Sequence, residues 1–82
     1  MTMIFRLVGY DKATDGIVFR EQVPVEMFPA AKKIAQIAID DDAQWGDWEL
    51  EPKQAKNIAG LIKVKIDTSS SDIFLEPYVY PD

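Results

Sequence analysis

The chain has 82 residues, enough for one domain, which we expect to span residues 1–82. It carries 9 basic and 14 acidic residues, for a net charge of −5, and contains neither cysteine nor histidine. This composition excludes disulfides and zinc–thiolate sites, and it removes the commonest general base and the commonest nucleophile pair. Since the chain lacks a long apolar run and its basic residues are scattered, we expect a cytoplasmic protein that binds neither membrane nor nucleic acid.

The N-terminal part of the chain predicts a β-hairpin. Residues 3–10 and 17–23 are rich in β-branched and aromatic side chains and alternate as strands do. The loop between them ends in the turn pair Asp15-Gly16. In the second strand, the alternation places Ile17 and Phe19 on the inward side. We therefore expect two antiparallel strands joined by this loop.

A helix is predicted next. Pro29 suits a first helical turn, and apolar residues follow at positions 30, 31, 34, 35, 37 and 38. The helix would therefore run to about residue 38. Asp40, Asp41 and Asp42 would then lie at its C-terminus, which is the unfavourable end of the helix dipole for negative charge.

The second half of the chain predicts a short strand, a helix and a final strand. Residues 45–50 are compatible with a short strand, and Pro52 opens a helix. Its apolar stripe consists of Ala55, Ile58, Ala59 and Ile62. Residues 73–80 read as the last strand, and Pro77 within it favours an edge position or an early end.

Together these elements predict an α+β fold. The sheet is expected to be small and antiparallel, built from the N-terminal hairpin and the C-terminal strand, with a short fourth strand allowed by residues 45–50. Two helices would pack on one of its faces. The order of the strands does not follow from these patterns.

The segment from Asp40 to Glu51 is the most unusual part of the chain. Half of its residues are carboxylates, it holds both tryptophans, and its charge of −6 leaves about +1 for the rest. Aromatic side chains anchor interfaces, and carboxylates steer basic partners. We therefore predict a binding module, accessory or immunity- and inhibitor-like, that recognises a protein partner, most plausibly a basic one. The predicted binding residues are Asp40, Asp41, Asp42, Trp45, Asp47 and Trp48.

The aromatic residues admit a second interpretation. Trp45 and Trp48 either anchor a partner or cover a core that is short of buried area. Phe74, Tyr78 and Tyr80 share this ambiguity, because one face of the last strand is either sheet core or an exposed adhesive surface.

The same acidic segment also partly matches a calcium loop. Asp40, Asp42, Gln44 and Glu51 fall at loop positions 1, 3, 5 and 12, but Gly46 comes one place after the required glycine. We therefore expect no metal and no cofactor. A small-ligand or calcium-responsive accessory domain is the alternative function. A small enzyme is the second alternative, for which the sequence assigns no catalytic residue and which we do not favour.

One run of residues resembles a known kind of domain. Trp48, Leu50, Pro52, Gln54, Ala55, Ile58 and Ala59, followed by residues 74–78, look like small uncharacterised bacterial domains. The resemblance covers about half the chain and implies no activity.

Overall fold

The structure is a computed structural model that describes residues 2–37 and 46–80. Within these ranges the chain forms one four-stranded antiparallel sheet, two helices and a 3-10 turn. In chain order the elements are β1 (Thr2–Asp11), β2 (Ile17–Val23), the 3-10 turn (Val25–Met27), α1 (Phe28–Ile34), β3 (Trp48–Leu50), α2 (Pro52–Leu61) and β4 (Ser71–Tyr80). The predicted α+β fold is confirmed, and the short fourth strand is present.

The strand order in the sheet is β2-β1-β4-β3. β1 therefore lies in the interior and pairs with β2 on one side and with β4 on the other. Arg6 marks the register, because it lies opposite Gln22 of β2 and opposite Glu76 of β4. The chain thus joins its first and last strands at the centre of the sheet.

Pro77 does not place its strand at the edge of the sheet. β4 is an interior strand, and Pro77 lies opposite Phe5 of β1. On its other side, β3 pairs with β4 only as far as Trp48 opposite Leu75. Because Pro77 lies beyond that pair, its missing N–H removes no hydrogen bond from the β3–β4 ladder.

A β-bulge in the hairpin changes which side chains of β2 face inward. Gly9 lies opposite Phe19, but Tyr10 lies opposite Ile17, so Val18 is the extra residue. Ile17 is 45% exposed, and the prediction that it faces inward is wrong. Phe19 packs against the core, and a Cβ atom on Gly9 would overlap its ring.

The hydrophobic core lies between the helices and one face of the sheet. The sheet contributes Phe5, Leu7 and Leu75, each at most 2% exposed. The predicted stripe of α2 is confirmed, since Ala55, Ile58 and Ala59 are buried and Ile62 packs beside them. Burial of these side chains from water provides the main stabilisation of a domain this small.

Helix α1 is shorter than its apolar pattern predicts. Gln36 has a φ of 59°, the left-handed region, which stops the helix. Its N–H donates to the Lys33 carbonyl at 3.2 Å, and the N–H of Ile37 donates to the Lys32 carbonyl at 3.0 Å. This is a Schellman motif. Because α1 ends at Ile34, the prediction of a helix to about residue 38 is wrong. Asp40, Asp41 and Asp42 lie outside the described residues.

Helix α2 ends in the same way. Lys63 has a φ of 59°. The N–H of Val64 donates to the Ala59 carbonyl at 3.0 Å, and the N–H of Lys63 donates to the Gly60 carbonyl at 3.3 Å. Both helices therefore end on a left-handed residue that is not the usual glycine.

One glutamine connects the two helices. Gln54 lies in the first turn of α2, where its Oε1 accepts the N–H of Glu51 at 2.8 Å. Its Nε2 donates to the Ile34 carbonyl at the end of α1, at 3.2 Å. A single side chain thus satisfies an orphan donor near the start of one helix and an orphan carbonyl at the end of the other.

Candidate functional site

The sheet has a second face, turned away from α1 and α2, which we call the outer face. Residues directly opposite each other on antiparallel strands project to the same side. The register of β1 with β4 therefore places Val8 beside Phe74, and Tyr10 beside Asp72, on this face. Its other members include Ile4, Arg6, Arg20, Gln22, Glu49, Glu76 and Tyr78.

A concavity of about 350 Å³ lies at one end of the outer face. Its walls come from β1, the β1–β2 loop, the residue that precedes β3, and β4. The lining residues are Tyr10, Asp15, Asp47, Asp72, Phe74 and Glu76. Four of these six are carboxylates and two are aromatic, so the concavity combines negative charge with flat apolar surface.

The two rings pack against each other edge to face. Their centroids are 5.5 Å apart and their planes make an angle of 87°. This is a favourable geometry for an aromatic pair, since the positive edge of one ring meets the negative face of the other. Tyr10 and Phe74 therefore form a fixed aromatic wall rather than two independent side chains.

Tyr10 is also tied to the carboxylate beneath it. Its hydroxyl donates to Glu76 Oε2 at 2.5 Å, and Glu76 is only 9% exposed. The hydrogen bond to Glu76 and burial raise the pKa of Tyr10 to about 12. Because the neutral phenol is the donor, the tyrosine keeps its proton and the carboxylate keeps a partner for its buried charge.

The loop between β1 and β2 positions Asp15. The side chain of Asp11 accepts the N–H of Ala13 at 2.8 Å and the N–H of Thr14 at 3.1 Å. The following residue, Asp15, has a φ of 61°, a conformation that Asp tolerates better than most residues. The sequence predicted a turn at Asp15-Gly16, and the aspartate itself adopts the left-handed conformation.

The arrangement is suited to a cation. Carboxylates attract a guanidinium or ammonium group, and the faces of aromatic rings add cation–π attraction. Asp15 and Asp47 are exposed and Asp72 is half-buried, so an entering cation would meet the charge without crossing an apolar barrier. In the ranges 2–37 and 46–80, no three or more acidic side chains are grouped so as to hold a metal ion.

Two of the six predicted binding residues fall within the described part of the chain. Asp47 is exposed and lines the concavity. Trp48 is half-buried against the core, and its indole N–H donates to the Ala35 carbonyl at 3.1 Å. Asp40, Asp41, Asp42 and Trp45 lie outside the described residues. The structure thus brings Asp47 together with partners that the acidic segment does not contain.

The remaining lining residues were not predicted as a site. Tyr10, Asp15, Asp72 and Glu76 are dispersed in the sequence, and the hydrogen bond between Tyr10 and Glu76 joins positions 66 apart. Phe74 and Tyr78, whose role the sequence left open, lie on the same face of β4. Without the strand order, nothing in the sequence places them beside Tyr10.

The residue at the last position of the calcium-loop pattern, Glu51, has a structural role in the helix that follows. Glu51, the predicted bidentate ligand, is the N-cap residue of α2, and its N–H bonds to Gln54. The other predicted ligands, Asp40, Asp42 and Gln44, lie outside the described residues. Gly46 has a φ of 59° and is followed by Asp47 in the concavity wall.

The fold and site define a small two-layer α+β protein with an acidic, aromatic concavity at one end of its outer face. The chain belongs to the family described as "Domain of unknown function (DUF7683)", whose model matches residues 4–76. The resemblance to uncharacterised domains is thereby confirmed, and it implies no activity. Comparisons with curated proteins and with solved structures give no match. Among the described residues, no helix has the length and apolar character needed to span a membrane.

Proposed function

We propose that this protein is a binding module that recognises a protein partner by taking one of its basic side chains into the concavity of the outer face. The observation that supports the proposal is the convergence of four carboxylates and an aromatic pair from four separate chain segments. Such a site fits the side chain of arginine or lysine. An accessory or inhibitor-like role, in which the module covers a basic surface, is consistent with it.

Electrostatics would act on the rate of association as well as on affinity. The chain has a net charge of −5, and the exposed Asp15 and Asp47 flank the concavity. Negative charge around a site raises the encounter rate with a basic partner and makes that rate sensitive to salt. The rigid pair of Tyr10 and Phe74 would then contribute at short range, where the cation contacts the rings.

A fragment titration tests the site directly. Ethylguanidinium is added to ¹⁵N-labelled protein, and propylurea, which has a similar shape but no charge, is added in parallel. We expect saturable amide shifts confined to Tyr10, Asp15, Asp47, Asp72 and Phe74, and only with the cation. The double variant Asp47→Asn/Asp72→Asn should weaken binding a few-fold, because each partly exposed charge contributes roughly 0.2–1 kcal/mol.

Glu26→Gln provides a control in which a negative charge is removed elsewhere on the surface. Glu26 is exposed but lies in the 3-10 turn, away from the concavity, so its loss of charge should leave the titration unchanged. If ethylguanidinium shifts no residue of the concavity, or if Glu26→Gln weakens binding as much as the double variant, the proposed site is wrong. The same three proteins used as baits in cell lysate extend the test to a macromolecule. A partner should be retained by the native protein and Glu26→Gln and lost by the double variant.

The volume of the concavity favours one second candidate, a free small cationic ligand. Its volume of about 350 Å³ lies at the lower end of the range for small-molecule sites. A module that binds a protein should hold an isolated fragment only weakly, since one side chain supplies a small part of an interface. Micromolar binding of a free amine such as agmatine would favour the small-ligand function.

A further inference from the structure

Arg6 lies on the same outer face, farther along β1 from the concavity. Its guanidinium carbon is 4.2 Å from the centroid of the Tyr78 ring, so the planar group is held against an aromatic surface. Its Nε is buried and has no hydrogen-bond partner among residues 2–37 and 46–80. A buried donor without an acceptor is unfavourable, so the contact with the Tyr78 ring has to hold the guanidinium in place.

The residue opposite Arg6 on β4 would ordinarily supply that acceptor. Glu76 is the direct cross-strand neighbour of Arg6, but its Oε2 accepts the hydroxyl of Tyr10. Although a carboxylate can accept further hydrogen bonds, Arg6 Nε donates none to Glu76, and the arginine is oriented by its contact with the Tyr78 ring. Since Nε is buried, an outside acceptor would be recognised by the terminal N–H groups of this oriented guanidinium.

The residues beside Arg6 on β2 are also donors. Gln22 lies directly opposite Arg6, and Arg20 lies two residues away on the same face. Both are exposed. A guanidinium flanked by an amide and a second guanidinium is well suited to a carboxylate, which accepts two parallel N–H groups from arginine.

The two ends of the outer face therefore have opposite preferences. Arg6 and Tyr10 point to the same side of β1 and are four residues apart, so their Cα atoms are separated by about 13 Å. In an extended peptide, residues four apart also point to one side and span about the same distance. We propose that the partner presents an extended segment with an acidic and a basic residue four apart, the carboxylate at Arg6 and the cation in the concavity.

This inference rests on the proposed function for its cationic end, but its anionic end is independent of it. The competing interpretation is that Arg6 only covers its neighbours on β1, since Ile4 is 8% and Val8 is 1% exposed. Long side chains do cover apolar surface in this way. A covering role makes no distinction between a ligand that carries a carboxylate and one that does not.

Three capped pentapeptides separate the possibilities. They are Glu-Thr-Thr-Thr-Arg, the single-substitution peptide Gln-Thr-Thr-Thr-Arg, and the neutral Gln-Thr-Thr-Thr-Gln. The three threonines in each peptide favour the extended conformation. Each is titrated into ¹⁵N-labelled protein, and both the backbone amides and the Nε–H signal of Arg6 are followed. The Glu peptide should bind about threefold to tenfold more tightly than the Gln-Thr-Thr-Thr-Arg peptide and should shift the Arg6 signal.

Two variants test whether Arg6 carries that preference. In Arg6→Gln the two arginine peptides should bind equally. In Arg6→Lys, which keeps the charge and a long stem, the preference should fall but persist, because the paired geometry is lost. Amide spectra of both variants establish that the fold is intact, and Arg6→Lys serves alone if Arg6→Gln does not fold.

The peptide titrations distinguish failure of the anionic site from failure of the proposed function. Equal affinity of the Glu and Gln-Thr-Thr-Thr-Arg peptides for the native protein would overturn the anionic site, as would a preference that survives unchanged in the variants. If instead the Glu peptide shifts the Arg6 signal while no peptide shifts Tyr10 or Phe74, the proposed function fails and the site at Arg6 stands.

Discussion

Tyr10 makes two structural contacts with one side chain. Its ring forms the aromatic wall with Phe74, while its hydroxyl holds the buried carboxylate of Glu76. Because the carboxylate stabilises the neutral phenol, the pKa of Tyr10 rises to about 12, above its ordinary value of 10.0. The phenol therefore keeps its proton in the folded protein at pH values where it would ionise in the unfolded chain.

This difference predicts an alkaline loss of stability that Tyr10→Phe should remove. A group whose folded-state pKa is raised stabilises fully below its unfolded pKa, and the effect is lost as the pH rises through the folded value. The native protein should thus lose free energy of unfolding between pH 10 and about 12 relative to Tyr10→Phe. Urea unfolding at about pH 8 and at about pH 11 measures the difference.

Glu76→Gln is the companion variant, because it keeps an acceptor for the phenol but removes the charge. The alkaline loss should be smaller in this variant than in the native protein. A gap between the native protein and Tyr10→Phe that stays constant across the pH range would contradict the assigned cause.

Single residues also explain where sequence patterns failed. Ile17 was expected inward by alternation, but the bulge at Val18 shifts the parity of the strand between Ile17 and Phe19. Ser69 and Ser70 lie in the loop before β4, whereas Ser71 is the buried first residue of that strand. Asp67 Oδ1 accepts the N–H and hydroxyl of Ser69, and its Oδ2 accepts the hydroxyl of Ser70. The orientation of Ile17 therefore depends on pairing with another strand, whereas the loop at Ser69 and Ser70 depends on local hydrogen bonds.

At the scale of elements, the two helices show how their ends are specified. Their starts were predictable because Pro29 and Pro52 suit the first turn. The end of α1 was not, because its apolar pattern continues past the last helical residue. Gln36 stops the helix by adopting a left-handed conformation, which cannot be predicted from a glutamine at this position.

Lys63, the left-handed residue at the end of α2, allows this kind of helix termination to be tested. A left-handed residue with a Cβ is strained by about 1 kcal/mol or more, and glycine relieves the strain. Lys63→Gly should therefore raise the free energy of unfolding by roughly 0.5–1 kcal/mol, the net gain after the added flexibility of the unfolded chain. Chemical denaturation measures the change. Lys65→Gly, the same substitution at a nearby exposed lysine without a positive φ, should give no gain.

The contacts at the end of α1 also clarify the motif that resembles small uncharacterised domains. Trp48 and Gln54 are both in that motif, and each donates to a terminal carbonyl of α1, Ala35 and Ile34 respectively. Their spacing thus has a structural reason. The tryptophan in this segment binds the protein's own backbone, which a sequence pattern alone cannot distinguish from an interface anchor.

At the scale of the whole molecule, the sheet order determines what the outer face can contain. Element types follow from alternation, helical stripes and prolines, all of which are local. Which strands lie beside β1 does not follow from local patterns, because contacts such as that of Tyr10 with Glu76 join positions 66 apart. The concavity could therefore be predicted only in part. Asp47 was found through local charge density, and its companions required the topology.

The same order predicts a pattern of amide hydrogen exchange. Interior strands are protected on both sides, whereas an edge strand has one row of groups open to water. The slowest exchange should occur in β1, with faster exchange at the outward amides of β2. Exchange followed by NMR measures this pattern. Equal protection along β2 would indicate that a further strand pairs there, and dilution would reveal whether a second copy supplies it.

The pairing of β1 with β4 has a consequence for how the protein is made. During synthesis the hairpin and both helices emerge before residues 71–80, yet those residues provide the second neighbour of β1. Until they leave the ribosome, the inner edge of β1 and the side chains of Phe5 and Leu7 lack the strand that lies against them. The growing chain therefore has to wait for its last strand, and a pause in translation just before β4 would lengthen the period in which it is most prone to aggregate.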